Sequence, residues 1–148
     1  MMYKTKKNNK GFTLIELMVV LVILGILAGL IVPRMMGRTE DAKRVKTRLQ
    51  IDGLGAALKL YKLDNGVYPT TEQGLEALVA SPKTGTPPRA WREGGYLEKK
   101  KIPSDGWGNP FVYVEPGVHG EYDLSSNGAD GEPGGEGKNQ DVNSWEDE

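Results

Sequence analysis

The chain has no cysteine, and among its 148 residues there is one histidine, His119. Without cysteine no disulfide staples the fold and no Cys/His set holds zinc, so a domain of this size must be held by its core, by another metal or by its neighbours. His119 sits in P-G-V-H-G with no second His or Cys to partner it, the pattern of a surface turn residue rather than of a base or a metal ligand. The formal net charge is −1, so bulk electrostatics indicate no nucleic-acid partner. Ser125 and Ser126 lack a nucleophile elbow, and the glycines at 128–137 open no helix that would cradle a phosphate. These absences together point away from an enzyme.

What is present is one long apolar run. From Leu17 to Val32 nothing is charged, and only Gly25 and Gly29 interrupt the aliphatic residues. Counted from Phe12, about 21 residues at ~1.5 Å each reach roughly 31 Å, close to the thickness of a bilayer's hydrocarbon core. An ordinary secretory signal is the competing reading, but the run is longer than a typical h-region, and Pro33, Arg34, Met35 and Met36 follow it in place of a small-residue cleavage site. Lys4, Lys6, Lys7 and Lys10 precede it, which by the positive-inside rule keeps the N-terminus cytoplasmic and puts the rest of the chain across the membrane. Glu16 is the anomaly. An unpaired carboxylate near the end of a span costs about 2–3 kcal/mol or more. Two accounts stay open: Glu16 is hydrated among the headgroups, or it meets a positive group of a neighbouring chain at the same depth. A cut between Gly11 and Phe12 would expose such a group, the amine of Phe12.

K-G-F-T-L-I-E, with Gly before the aromatic and Glu inside the apolar run, resembles the class III signal of type IV pilins and pseudopilins. The resemblance implies that a prepilin peptidase cuts after Gly11 and methylates the new N-terminal Phe12, and that Glu16 is the acid used in subunit registration. It divides the chain into a cleaved leader, 1–11, a transmembrane or filament-core half-helix, 12–33, an amphipathic half-helix, 34–64, and a periplasmic α+β region, 65–148. Gly25, Gly29 and Pro33 weaken the first half-helix, which pilin-like subunits are expected to unwind there when packed in a filament.

Beyond Pro33 the periodicity becomes amphipathic. Ala42, Val45, Leu49, Ala56 and Leu60 form one apolar stripe, and Ile51, Leu54, Leu58 and Tyr61 a neighbouring one, together read as a single apolar flank. Lys43, Arg44, Lys46, Arg48, Lys59 and Lys62 cover much of the rest as a solvated basic face. Joined, the two halves make one helix of about 50 residues, ended by Asn65-Gly66. T-T-E-Q-G-L-E-A-L-V-A then predicts a short helix from Thr70 or Thr71 with Leu75, Leu78 and Val79 inward, and Trp91, Tyr96 and Leu97 bring the following loop back to the core. F-V-Y-V-E at 111–115 and E-Y-D-L-S at 121–125 alternate as a small antiparallel hairpin that must pack on the helix. Y-K-L-D-N-G-V-Y-P-T-T-E-Q-G-L, W-G-N-P-F, P-G-V-H-G-E-Y-D-L and G-A-D-G-E-P-G-G-E-G are similar to the major pseudopilins of type II secretion systems, and the likeness extends from Gly11 to Trp145. Gly106 departs from it, since the family commonly has Pro there; the turn is expected to be looser for it.

From Ser125 to Glu148 the chain carries seven carboxylates against one Lys, with almost nothing apolar. Composition alone fits a solvated acidic tail. Calcium offers a second account, because it takes six to eight oxygens and mixes carboxylates with main-chain carbonyls, although the spacing is not that of an EF-hand. The resemblance favours calcium. It implies Asp130 and Asp141 as carboxylate ligands in a loop spanning 124–145, carbonyls from Leu124 and Asn127, and a further oxygen from Ser126, with Trp145 pinning the loop back. Where relatives often carry an extra acid before the last Asp, this chain has Asn139 and Gln140.

The fold expected is therefore α+β and type IV pilin-like, a long N-terminal helix on a small antiparallel sheet. The resemblance implies a non-enzymatic subunit of the inner membrane and periplasm that polymerises with its own copies into a pseudopilus exporting folded proteins. Its partners would be minor pseudopilins, the prepilin peptidase and an inner-membrane platform with a cytoplasmic ATPase. A major pilin of a surface type IV pilus is the nearest alternative, disfavoured by the missing disulfide pair and the acidic loop. A monomeric, membrane-anchored calcium- or sugar-binding module is a second.

Overall fold

The computed structural model describes residues 11–146; the side chains of 30–38 fall outside that description, as does the basic cluster Lys4, Lys6, Lys7 and Lys10. Two compact units meet in sequence between Arg38 and Thr39. Helix α1, Leu14–Asn65, contributes to both, and its 52 residues run through Gly25, Gly29 and Pro33.

In the first unit, Thr13 caps α1: its hydroxyl accepts the Glu16 amide at 3.3 Å, one half of the Thr-x-x-Glu capping box. The helix then proceeds through Val19, Val20, Val22 and Ile23, β-branched residues of modest helix propensity. Every described side chain from 11 to 29 is exposed.

In the second unit, only one of the two apolar stripes of α1 enters the core. Ile51, Leu54, Leu58 and Tyr61 recur at three- and four-residue steps on one face and are almost wholly buried. They meet Tyr68, Leu75, Leu78 and Tyr96 from the loops and Tyr113, Leu124 and Val142 from the sheet. Each such aliphatic side chain contributes about 1.5–3 kcal/mol on burial. The other stripe is not core: Val45 is 56% and Leu49 66% exposed, and Ala42, Ala56 and Leu60 are exposed as well. The single apolar flank read from the sequence is thus two faces, one buried and one bare.

Asn65 ends α1 from a buried position. Its Nδ2 donates to the Tyr61 carbonyl and the Tyr96 hydroxyl, both at 3.0 Å, while Oδ1 accepts the Ala90 amide at 3.0 Å. The expected helix after Thr70 is reduced to a 3-10 turn, Leu75–Leu78. Thr70 and Gln73 do form a reciprocal cap, amide to Oε1 at 3.1 Å and amide to Oγ1 at 3.2 Å. Gly74, at φ 62°, then breaks the helical path before a second turn can add to the first. Leu75 and Leu78 still reach the core, whereas Val79 is only half-buried.

Among the described residues the sheet has three strands, in the order β1 (Val112–Val114), β2 (Asp123–Ser126) and β3 (Val142–Asn143), all antiparallel. Tyr113 pairs with Leu124 and both point inward, while Val112 and Val114 face out. β3 comes from the acidic segment, where Ser126 pairs with Val142 and brings the C-terminal chain back onto the core.

The turn around Gly106 is tight, contrary to the looser turn expected. Gly106 donates its amide to Thr47 Oγ1 at 2.8 Å, and a Cβ on it would lie 2.3 Å from the Lys43 carbonyl oxygen. Trp107 Nε1 bonds Glu40 Oε2 at 2.8 Å, and Gln50 Nε2 bonds the Ser104 carbonyl at 2.8 Å. The absence of a side chain at 106 lets the turn lie against the helix backbone.

Candidate functional site

Two regions carry the expected functional residues. At the N-terminus, Gly11 is the first residue described, Phe12 is 84% exposed, and Glu16 lies in the first turn of α1 behind the Thr13 cap. That turn presents the positive end of the helix dipole, which favours a carboxylate. Among the described residues no helix is long and apolar enough to cross a membrane. The described side chains stop at Gly29, so Leu30, Ile31 and Val32, which complete the expected span, lie outside them.

The second region is the loop between β2 and β3. Its entry is anchored by a buried carboxylate that the sequence reading passed over. Asp105, 1% exposed, accepts the amides of Trp107 and Asn109 at 2.9 and 2.8 Å through Oδ1, and the Ser126 hydroxyl at 2.6 Å through Oδ2. Three donors satisfy a charge that burial would otherwise make costly. Asn109 extends the anchor, donating from Nδ2 to the Gly128 carbonyl at 3.0 Å. The signal for this anchor was the D-x-W-x-N spacing, which lets one carboxylate cap its own turn.

Within the loop the chain folds back on itself. Ala129 donates its amide to the Lys138 carbonyl at 3.3 Å, and Asn127 Nδ2 bonds the Gly131 carbonyl at 3.2 Å. Gly128, at φ 63°, brings its backbone so near Asn139 that a Cβ would lie 2.6 Å from that carbonyl oxygen, so only glycine serves there. Asp130 is exposed and accepts the Glu132 amide at 3.2 Å. Asp141 accepts the Gly134 amide through Oδ2 at 2.9 Å, while its Oδ1 is buried with no hydrogen-bond partner.

The five expected ligands are therefore distributed as follows. Leu124 and Ser126 are buried in β2, Asn127 follows at its end, Asp130 is on the loop surface, and Asp141 immediately precedes β3. The Leu124 carbonyl accepts the Ser144 amide at 2.9 Å, and the Ser126 hydroxyl is spent on Asp105. Among the described residues no three His, Cys, Asp or Glu side chains gather as a metal cluster. A cation here would draw on main-chain oxygens as well as carboxylates, a mixture that suits calcium, and the unpartnered Asp141 oxygen fits it.

Past β3, Trp145 stacks on His119, ring centroids 4.1 Å apart and 3° from parallel. His119 Nδ1 lies 3.0 Å from Asp123 Oδ2. Burial pushes the Asp123 carboxyl up, but the Val118 amide and the ring and amide of His119 together hold it below its ordinary value. The turn histidine is thus where the C-terminal chain rests, a role that a lone His in a turn did not suggest.

Comparison with known proteins agrees with this geometry. The type II secretion system protein G family model matches residues 34–145, and the prokaryotic N-terminal methylation motif matches residues 6–32. The chain is 50% identical over 141 residues to a type II secretion system core protein G of Pseudomonas aeruginosa, covering 95% of this chain and 98% of that one. It is 51% identical over 142 residues to the protein of that name in Vibrio cholerae, covering 96% and 95%. The crystal structure of the major pseudopilin from the type 2 secretion system of enterohaemorrhagic Escherichia coli superimposes with a TM-score of 0.66 at 39% identity, over 76% of this chain and 95% of that one. The pilin-like plan of a long N-terminal helix on a small antiparallel sheet is shared, and the chain belongs to the type II secretion system protein G family.

Proposed function

We propose that this chain is the structural subunit of a periplasmic pseudopilus, polymerising with its own copies to drive export of folded proteins, and that it catalyses nothing itself. The observation that carries this reading is the N-terminal run: from Leu14 to Leu27 its large apolar side chains are all at least 45% exposed, a surface that soluble monomers rarely leave bare, with one carboxylate at its head. Prepilin peptidase cuts after Gly11 and methylates Phe12, the run anchors the chain once through the inner membrane with the leader cytoplasmic, and Glu16 meets the Phe12 amine of a neighbour. Pairing removes two unshared charges from lipid at once, which favours assembly over the isolated anchored state. The bare stripe of Val45, Leu49, Ala56 and Leu60 supplies further apolar surface for neighbours to cover. Minor pseudopilins, an inner-membrane platform and a cytoplasmic ATPase complete the machine.

Calcium belongs to the same reading. Asp130 and Asp141 supply carboxylates, and Leu124, Ser126 and Asn127 supply further oxygens. The bound ion links the ends of a loop that has no disulfide, so its binding energy becomes folding energy.

Mass spectrometry of the native N-terminus tests the processing step, and it should read methylated Phe12. A mature chain that still begins with the lysine-rich leader refutes it. Glu16→Gln tests assembly: a filament subunit stays in the membrane and fails to polymerise, whereas a monomeric anchored module is unaffected.

A further inference from the structure

Helix α1 meets the acidic loop through two arginines that grip main-chain carbonyls. Arg44 Nη1 donates to the carbonyls of Gln140 at 2.9 Å and Gly137 at 3.5 Å, and Nη2 to that of Asp141 at 3.5 Å. One turn on, Arg48 donates to the carbonyls of Asn143 and Glu146. Both arginines line a 210 Å³ cleft whose other wall is the returning chain, Gln140 to Asn143 and Glu146. A guanidinium holds its five donors in one plane, so a single side chain can fix several carbonyls in a set orientation.

The two grips are not equivalent. Arg48 holds Asn143, whose backbone β3 pairing already fixes, and Glu146 past the strand. Arg44 holds the stretch before β3, and this stretch ends at the residue whose buried Oδ1 has no partner. That stretch is ordered otherwise by contacts within the loop itself: a 3-10 turn at Gly137–Asn139, the Ala129 amide on the Lys138 carbonyl and the Gly134 amide on Asp141. Arg44 is what ties it to helix α1. Gly128, Gly131, Gly134, Gly135 and Gly137 all stand at positive φ, so the free loop has much conformational entropy to lose. Its entry is held by Asp105 and Asn109 through Ser126 and Gly128, and its exit by Arg44.

We propose that Arg44 is the positioning residue of the cation loop: by fixing the carbonyls of residues 137, 140 and 141 it sets the Asp141 carboxylate toward its ion and ties loop order to helix α1. The inference rests on the calcium reading above. Because coupling between two events is reciprocal, calcium then steadies the helix segment that carries Arg44 as much as Arg44 steadies the calcium site.

The test uses the processed full-length chain in detergent micelles, titrated calorimetrically with calcium chloride, with melting curves and hydrogen exchange beside it. Arg44→Ala weakens calcium binding by about tenfold or more, the usual effect of removing a group that orients a ligand. Arg44→Lys restores part of the affinity, since one ammonium serves fewer carbonyls. Arg48→Ala lowers the melting temperature while keeping the parent affinity, and calcium slows exchange at helix residues 43–48 in the parent but not in Arg44→Ala. Parent-like affinity in Arg44→Ala, or equal weakening in Arg48→Ala, overturns the inference and leaves the calcium reading standing. A parent chain that takes up no calcium overturns both.

Discussion

Gly106→Ala adds one methyl group where the structure has no room for it. The new Cβ would sit 2.3 Å from the Lys43 carbonyl oxygen, 2.8 Å from its carbon and 2.9 Å from Cα, all helix backbone that cannot turn aside. The turn must therefore lift by about 1 Å to restore ordinary contact. Lifting breaks the Gly106 amide bond to Thr47 Oγ1, now 2.8 Å, and disturbs the donors around buried Asp105. Overpacking costs about 1–3 kcal/mol. The lost hydrogen bond adds about 1 kcal/mol. At ~4–8 °C per kcal/mol for a unit of this size, a loss of about 2–4 kcal/mol lowers the melting temperature by about 8–32 °C. Circular dichroism melting of the full-length chain in detergent measures it, with Thr47→Val as a companion that removes the acceptor but adds no clash and so falls less. A Gly106→Ala melting temperature within about 2 °C of the parent refutes the close docking of the turn.

Calcium chelation and Asp130→Ala each lower the melting temperature and the yield of folded chain, read by calorimetry with and without chelator; superimposable curves refute the ion's structural role. His119→Ala removes both the Trp145 stack and the hydrogen bond to Asp123, and costs about 1 kcal/mol, with the C-terminal chain cut sooner in limited proteolysis. Acid titration gives a signed test. The Asp123 carboxyl is held below its ordinary value of 3.8 in the folded chain, so its contribution is present above that value and is lost as pH falls through the lower folded one. Asp123→Asn makes the stability profile shallower in that acid window and leaves its shape at neutral pH unchanged.

The long helix, the short strands and the core stripe of Ile51, Leu54, Leu58 and Tyr61 were legible because periodicity and turn residues report local geometry directly. Which apolar stripe would be buried was not. Val45 and Leu49 repeat with the same helical step as the core residues, and a surface kept for neighbours has the same pattern as a surface kept for a sheet. The third strand escaped because Val142–Asn143 is two residues long inside an acidic segment, and only its pairing with Ser125 and Ser126 makes it a strand. The short helix after Thr70 failed at Gly74, whose backbone angle outweighed a well-formed cap. At the candidate site the carboxylates could be named from sequence, but the Arg44 grip joins residues more than 90 positions apart and leaves no local trace.

The missing cysteines find their physical answer along the C-terminal chain. A disulfide closes a loop with one covalent bond, typically worth about 2–4 kcal/mol. Here the same stretch is held by dispersed polar tethers: Asp105 to Ser126, Arg44 and Arg48 to main-chain carbonyls, and His119 under Trp145. Each is worth on the order of 1 kcal/mol and opens independently, so none replaces a staple alone. Among the described residues two buried side-chain atoms lack hydrogen-bond partners, Gln50 Oε1 and Asp141 Oδ1, and only the second belongs to a carboxylate. An unanswered carboxylate oxygen on the chain that the tethers converge on is where a divalent cation adds most. Removing the ion should therefore loosen the whole segment at once, while cutting the Asp105, Arg48 or His119 tether loosens only its own stretch.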